Sequence, residues 1–197
     1  MKKSIAITGG IGSGKSTALR ILKDAGYPVY SCDEIYKELI KQADYVEEVK
    51  RMLPNVVEDG KINKEKLANE VFNNDRRLAT LNAIAHPKIM QSLKEKMEKH
   101  KDGFVFAEVP LLLEGDYQKD FDAFIVILRS LPDRIASVCN RDGASENLVR
   151  SRIRAQYDYD KADVKEKLER AGAIVVINDG TEELLKTVIL SILRDMA

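Results

Sequence analysis

The eight residues Gly9-Gly10-Ile11-Gly12-Ser13-Gly14-Lys15-Ser16 fit the spacing Gly-x-x-x-x-Gly-Lys-[Ser/Thr], after a β-branched run and before a helical pattern. Each residue type has a chemical reason. Backbone N–H groups converge on a phosphate only where side chains are absent, which accounts for the glycines. The helix that follows adds unpaired N–H donors and the positive end of its dipole. Lys15 sets a compact charge between the β- and γ-phosphates, and the Ser16 hydroxyl is placed to ligate Mg²⁺. Thr17 offers a second hydroxyl near the α-phosphate. The pattern predicts a nucleoside-triphosphate site from Gly10 to Thr17; the plainer alternative is a turn that only links strand to helix.

Other residues could complete a phosphoryl transfer. Asp33, just past a second strand, could accept a hydrogen bond from an attacking hydroxyl, or could simply cap a helix beginning at Glu34. Glu108 closes the apolar strand Phe104-Val105-Phe106-Ala107 and suits a Mg²⁺-organising carboxylate, unless it is only a solvated strand end. Between Leu131 and Lys167 lie Arg134, Arg141, Arg150, Arg152 and Arg154, which read either as a lid over the transferring group or as an ordinary solvated face with a Glu146–Arg150 pair. Arg141, before Asp142-Gly143, is the preferred phosphate contact. His86 before Pro87 reads first as a packed residue at a helix break, and Cys32 as a buried thiol with no histidine nearby in sequence to activate it.

The elements that must position these groups alternate. Strand patterns at Lys3–Thr8, Pro28–Ser31, Phe104–Val109, Ala123–Leu128 and Ala173–Ile177 are separated by helical ones, the mark of a parallel sheet covered on both faces. A first helix is expected from Lys15 to Ala25, stopped by Gly26 and Pro28, and a last from Glu182 to Met196, capped by Thr181. Between strands two and three lie about seventy residues with helical spacing and no convincing strand. Asp59-Gly60 marks a turn there, and Pro87 should break the helix that carries Leu81 and Leu93. An insertion of that length suggests a substrate-holding lobe. The expected division is a core of residues 1–33, 101–130 and 168–197, a helical insertion 34–100, and a small helical lid 131–167.

Composition limits the alternatives. The 197 residues carry 32 Lys+Arg against 32 Asp+Glu, a balance that argues against a nucleic-acid binder. No run approaches the roughly 18 apolar residues of a membrane span, and glycines from position 9 cut short any signal-peptide core. Two isolated cysteines, Cys32 and Cys139, suit a reducing cytoplasm.

From end to end the chain resembles the dephospho-coenzyme A kinase family. Thr8 to Thr17 resembles its phosphate loop with a doubled first glycine. Ser31-Cys32-Asp33 stands where the family has Asp-Ala-Asp, so only the second acid remains. His86-Pro87 resembles the His-Pro of the family's coenzyme A-receiving lobe, and Pro110-Leu111-Leu112-Leu113-Glu114 its acceptor-lining Pro-Leu-Leu-x-Glu. Arg141-Asp142, Arg152-Ile153 with Gln156, and Asn178 with Gly180 resemble the lid arginine, the Arg-Ile-x-x-Gln helix and an Asn-x-Gly near adenine. Glu108 replaces a frequent Asp, Arg134 and Ser137 stand at the usual Gln and Arg of the lid helix, and Ala171-Gly172-Ala173 lacks the usual acid.

The resemblance implies a P-loop three-layer fold with a five-stranded parallel sheet, a helical insertion and a helical lid. It also implies transfer of the γ-phosphoryl of ATP, with Mg²⁺, to the ribose 3′-hydroxyl of dephospho-coenzyme A. Asp33 would orient that hydroxyl, and Asp33, His86, Glu108, Pro110, Leu111, Leu112, Glu114 and Arg152 would face the acceptor. The alternatives are another small-molecule P-loop kinase, or a nucleotide-driven switch. The switch reading lacks an Asn-Lys-x-Asp guanine reader, since Asn63-Lys64 continues as Glu65-Lys66.

Overall fold

A computed structural model describes residues 2–72 and 74–196; Met1, Asn73 and Ala197 lie outside the described residues. The chain order is β1 (Lys3–Thr8), α1 (Lys15–Asp24), β2 (Val29–Ser31), α2 (Cys32–Leu39), α3 (Ala43–Met52), β3 (Val57–Glu58), β4 (Lys61–Ile62), α4 (Lys64–Phe72) and α5 (Asp75–Glu98). It continues with β5 (Phe104–Glu108), β6 (Ala123–Leu128), α6 (Leu131–Asp142), α7 (Glu146–Arg154), α8 (Val164–Arg170), β7 (Ile174–Ile177) and α9 (Glu182–Met196). The chain divides into two compact units, Met1–Val29 with His100–Ala197, and Tyr30–Lys99.

The first unit is built on a five-stranded sheet of order β2-β5-β1-β6-β7. β1 pairs in parallel with β5 on one side and β6 on the other, and β6 pairs in parallel with β7. A parallel strand is covered on both faces, so its residues read as continuous apolar runs. Ile5, Ile7, Phe106, Ile125, Ile127 and Val176 are such residues. They pack with Ala18, Ile21 and Leu22 of α1 and Leu185, Ile189 and Leu193 of α9. α1 and α9 start and stop close to expectation: Gly26 beyond α1 has φ 88°, and the Thr181 hydroxyl accepts the Leu184 N–H at 3.3 Å. A smaller apolar group joins α6 and α7 through Ile135, Val138, Val149 and Ile153, with Ile11 packed against it.

The second unit holds α2 to α5 and departs from expectation twice. A two-stranded antiparallel hairpin, β3-β4, occupies the stretch read as free of strands. Its turn is Asp59-Gly60, with φ 48° and 71°, the mirror-image geometry that matches strand twist and that an Asp-Gly pair adopts readily. The turn was legible; two-residue strands carry too little pattern to read. Second, α5 runs unbroken through Pro87 from Asp75 to Glu98. Burial of Leu81, Ala85, Ile89, Leu93 and Met97 along one face, with α2 packed on α5, offsets the lost backbone bond. Lys96–Glu38 at 3.0 Å and Lys88–Glu48 at 3.1 Å add ion pairs.

Candidate active site

β1 delivers the chain to the carboxyl edge of the sheet at Thr8, fully buried, where ligands gather in open α/β folds. The loop that follows enters α1 through Gly14 at φ 102°, a left-handed conformation suited to glycine. No side chain caps α1 and no acid stands in its first turn. Its leading N–H groups thus have no intrahelical acceptor and no competing carboxylate, which makes an anion-binding end. Lys15 is 9% exposed; its ammonium donates to the Gly9 carbonyl at 2.8 Å and the Gly10 carbonyl at 3.1 Å. Ser16 is exposed and Thr17 half-buried in the same turn. The Ser13 N–H donates to the Gly10 carbonyl at 3.1 Å, tightening the bend.

Two further contacts brace this loop. The Asn178 amide, just past β7, donates to the Ser13 carbonyl at 2.8 Å, so a residue expected near adenine also supports the phosphate cradle. The Ile11 N–H donates to Gln156 Oε1 at 2.7 Å, so this amide, counted among the nucleotide-binding groups, already has an acceptor.

Glu108 ends β5 opposite Ile7 in the β1 register, one residue from the start of the loop, and is half-buried. Among the described residues no three His, Cys, Asp or Glu side chains gather as a metal cage. Mg²⁺ in such a site takes few protein ligands, the rest being phosphate and water oxygens. A hydroxyl at the exposed start of α1 and one carboxylate at the adjacent strand end fit that demand.

After β5, Pro110, Leu111 and Leu113 are half-buried and Glu114 is exposed, while Leu112 is fully buried. Leu112 therefore shapes the loop from inside and has no surface with which to touch an acceptor. Glu114 Oε1 accepts the Tyr157 N–H at 2.8 Å. Nearby, burial pushes the Tyr159 phenol up to about 12.

The two candidate lid arginines meet on one carboxylate. Arg141 donates to both oxygens of Asp142, at 2.7 and 3.0 Å, and Arg152 donates to one at 3.3 Å. The hydrogen bond from Arg141 holds Asp142 below the usual carboxylate range, and Arg141 is raised in turn. Glu146 and Arg150 form the expected pair, Nε to Oε1 at 2.8 Å.

In the second unit, Asp33 is exposed in the first turn of α2. It is not the helix cap: Ser31 is, its hydroxyl accepting the Asp33 N–H at 3.3 Å. His86 lies mid-helix in α5 and not at a break, half-buried, and that burial lowers its imidazole below the ordinary value.

Comparison with known proteins points one way. The family model described as dephospho-CoA kinase matches residues 3–183. The chain belongs to the dephospho-CoA kinase family. A dephospho-CoA kinase from Fusobacterium nucleatum is 32% identical over 93% of this chain and 94% of its own length. A crystal structure from Thermus thermophilus superposes with TM-score 0.84 at 33% identity, covering 100% of this chain and 98% of that one. Dephospho-CoA kinase from Campylobacter jejuni gives TM-score 0.68 at 26% identity, covering 100% and 98%. Membership makes the chain an ATP-dependent phosphotransferase acting on a small molecule. Among the described residues no helix is long and apolar enough to cross a membrane.

What sequence reasoning misplaced is Arg134, read among the lid arginines. It is 1% exposed and donates from Nε to the Ile11 carbonyl at 3.0 Å. Its signal was available: Leu131, Ile135 and Val138 form the apolar stripe of α6, and position 134 falls inside it.

Proposed function

We propose that this chain transfers the γ-phosphoryl group of ATP to the ribose 3′-hydroxyl of dephospho-coenzyme A, giving coenzyme A and ADP. The observation that carries the nucleotide half is the uncapped, acid-free start of α1 beside the buried Lys15. The loop amides and Lys15 hold the triphosphate. Asp33 accepts a hydrogen bond from the 3′-hydroxyl and turns its oxygen toward the γ-phosphorus. As the new P–O bond forms, the bond to the β–γ bridging oxygen breaks, ADP departs, and the hydroxyl proton passes to the Asp33 carboxylate. Because the transition state is loose, orientation matters first and the proton leaves late, which a weakly basic carboxylate can serve. Arg141 exchanges Asp142 for the transferring group and places charge where it develops.

Ser16 and Glu108 would hold Mg²⁺, whose contribution when bound is to neutralise charge across the β- and γ-phosphates. His86, Pro110, Leu111, Glu114 and Arg152 belong to the acceptor side in this reading, and Asn178 to the adenine side. The helices of residues 34–100 form the acceptor lobe and residues 131–167 the lid. Two thiols outside any cysteine framework suit a cytoplasmic enzyme.

The deciding experiment measures ADP release with a panel of acceptors: dephospho-coenzyme A, nucleoside monophosphates, gluconate and shikimate. Release that depends on dephospho-coenzyme A supports the proposal. Equal or greater release with another acceptor, or steady release with none, rejects it.

A further inference from the structure

Among the described residues two basic side chains are buried, Lys15 and Arg134, and both bond the phosphate loop. Lys15 holds the carbonyls of Gly9 and Gly10; Arg134 holds the next one, that of Ile11, at 3.0 Å. The Arg134 charge is matched by Asp160, whose two oxygens lie 3.0 and 3.1 Å from Nη1. The arginine also fills the space along the loop. A Cβ on Gly10 would stand 2.4 Å from Arg134 Nη2, and one on Gly12 would stand 2.6 Å from the Arg134 carbonyl oxygen. Ile11 is thus gripped three ways: its carbonyl by Arg134, its N–H by Gln156 at 2.7 Å, and its side chain by the apolar group of α6 and α7.

A buried guanidinium is a costly way to fill volume. Desolvation penalises its charge, a cost that a hydrophobic side chain would not carry. Nor does Lys15 make Arg134 redundant. An ammonium that turns to β- and γ-phosphate oxygens exchanges its carbonyl bonds for them, whereas Arg134, paired with Asp160 and bonded to Ile11, keeps its own. We propose that Arg134, held by Asp160, is a positioning residue of the phosphate loop, fixing the Ile11 peptide and with it the Gly10–Gly12 bend that presents amides to the triphosphate. It acts through the loop and does not touch the nucleotide.

The proposal rests on reading Gly10–Thr17 as the triphosphate site, and one titration separates the two. Calorimetry with ADP on the unaltered protein tests the site, and the same titration on Arg134→Met tests the arginine. ADP binding about tenfold weaker in Arg134→Met is expected, with the KM for ATP raised to match, kcat within threefold, and the KM for dephospho-coenzyme A within twofold. Arg134→Gln, which keeps an amide donor for Ile11, should recover part of the loss. A lowered melting temperature with unchanged ADP affinity would mean that Arg134 only packs the fold, and would overturn the proposal. If Arg134→Met does not fold, Asp160→Asn reads the same question from a partly exposed position. There, ADP binding at least threefold weaker supports the proposal and unchanged binding rejects it. Absence of ADP binding by the unaltered protein would remove the site reading and this inference together.

Discussion

The amide nitrogen of Asn178 lies 2.8 Å from the carbonyl of Ser13 and would lie 2.3 Å from a Cβ placed on Gly14. The end of β7 is therefore fitted to the entrance of α1 so closely that only a residue without a side chain joins the two. Gly14 has φ 102° as well, so a substitution there meets both a strained backbone and a filled neighbour.

Gly14→Ala should fold, because the added methyl meets the Asn178 side chain at the entrance of α1 and removes no residue of the core, yet lose nucleotide. The free loop should escape the left-handed strain and the clash by leaving the nucleotide-ready shape, so binding must restore it at a cost on the order of 2–3 kcal/mol, or roughly 30- to 150-fold in ADP affinity. Adding Asn178→Ala relieves the clash but leaves the strain and removes the brace on the Ser13 carbonyl, so the double variant should stay well below the unaltered protein. Calorimetry with ADP measures both. Full recovery would mean that the conformation of residue 14 is unimportant.

Asp33→Asn keeps the side chain's size and its place in the first turn of α2, and removes the proton acceptor. Turnover should fall by about a hundredfold or more, since a positioned base contributes roughly 10²- to 10⁴-fold, while the KM for ATP stays within about twofold. Because Ser31 and not Asp33 caps α2, the melting temperature should not move appreciably. A drop in stability equal to that of Ser31→Ala would reassign Asp33 to the helix.

Much of this was legible before any coordinates. The five strands and the boundaries of α1 and α9 follow from apolar runs between glycines, and the phosphate loop follows from spacing alone. Pro87 misled, because a helix-breaking residue was weighed without the packed face of α5 that outweighs it. The β3-β4 hairpin was hidden because its strands are too short to show alternation. Arg134 was read among the lid arginines, since charge in a sequence suggests solvent; its place on the apolar stripe of α6 was the better guide. That Arg141 and Arg152 would share Asp142 depends on two helices meeting, which spacing does not reveal.

His86 supplies a pH test. Its imidazole is held below the ordinary 6.5 by burial, so above about 6.5 it is neutral in folded and unfolded chains alike. As pH falls through that value the unfolded chain takes up a proton more readily than the folded one, and stability is lost. Between pH 7.5 and 5.5 the melting temperature should therefore drop more in the unaltered protein than in His86→Gln. Parallel curves for the two proteins would mean that His86 ionises equally in both states.

Pro87 offers the reverse experiment, a substitution that should stabilise. It is exposed and mid-helix, and proline is about 3 kcal/mol less favourable than alanine in a helix interior. Against that, alanine frees the unfolded chain, at about 0.4–1 kcal/mol. Pro87→Ala should then gain on the order of 2 kcal/mol, or roughly 4–8 °C in melting temperature for a chain of this length. A natural sequence that keeps such a cost beside His86 has a reason outside stability, and the acceptor role proposed for this lobe supplies one. The same variant should bind ADP normally and show a raised KM for dephospho-coenzyme A. Higher stability with unaltered acceptor kinetics would separate Pro87 from the substrate, and lower stability would mean that its ring packs against α5's neighbours.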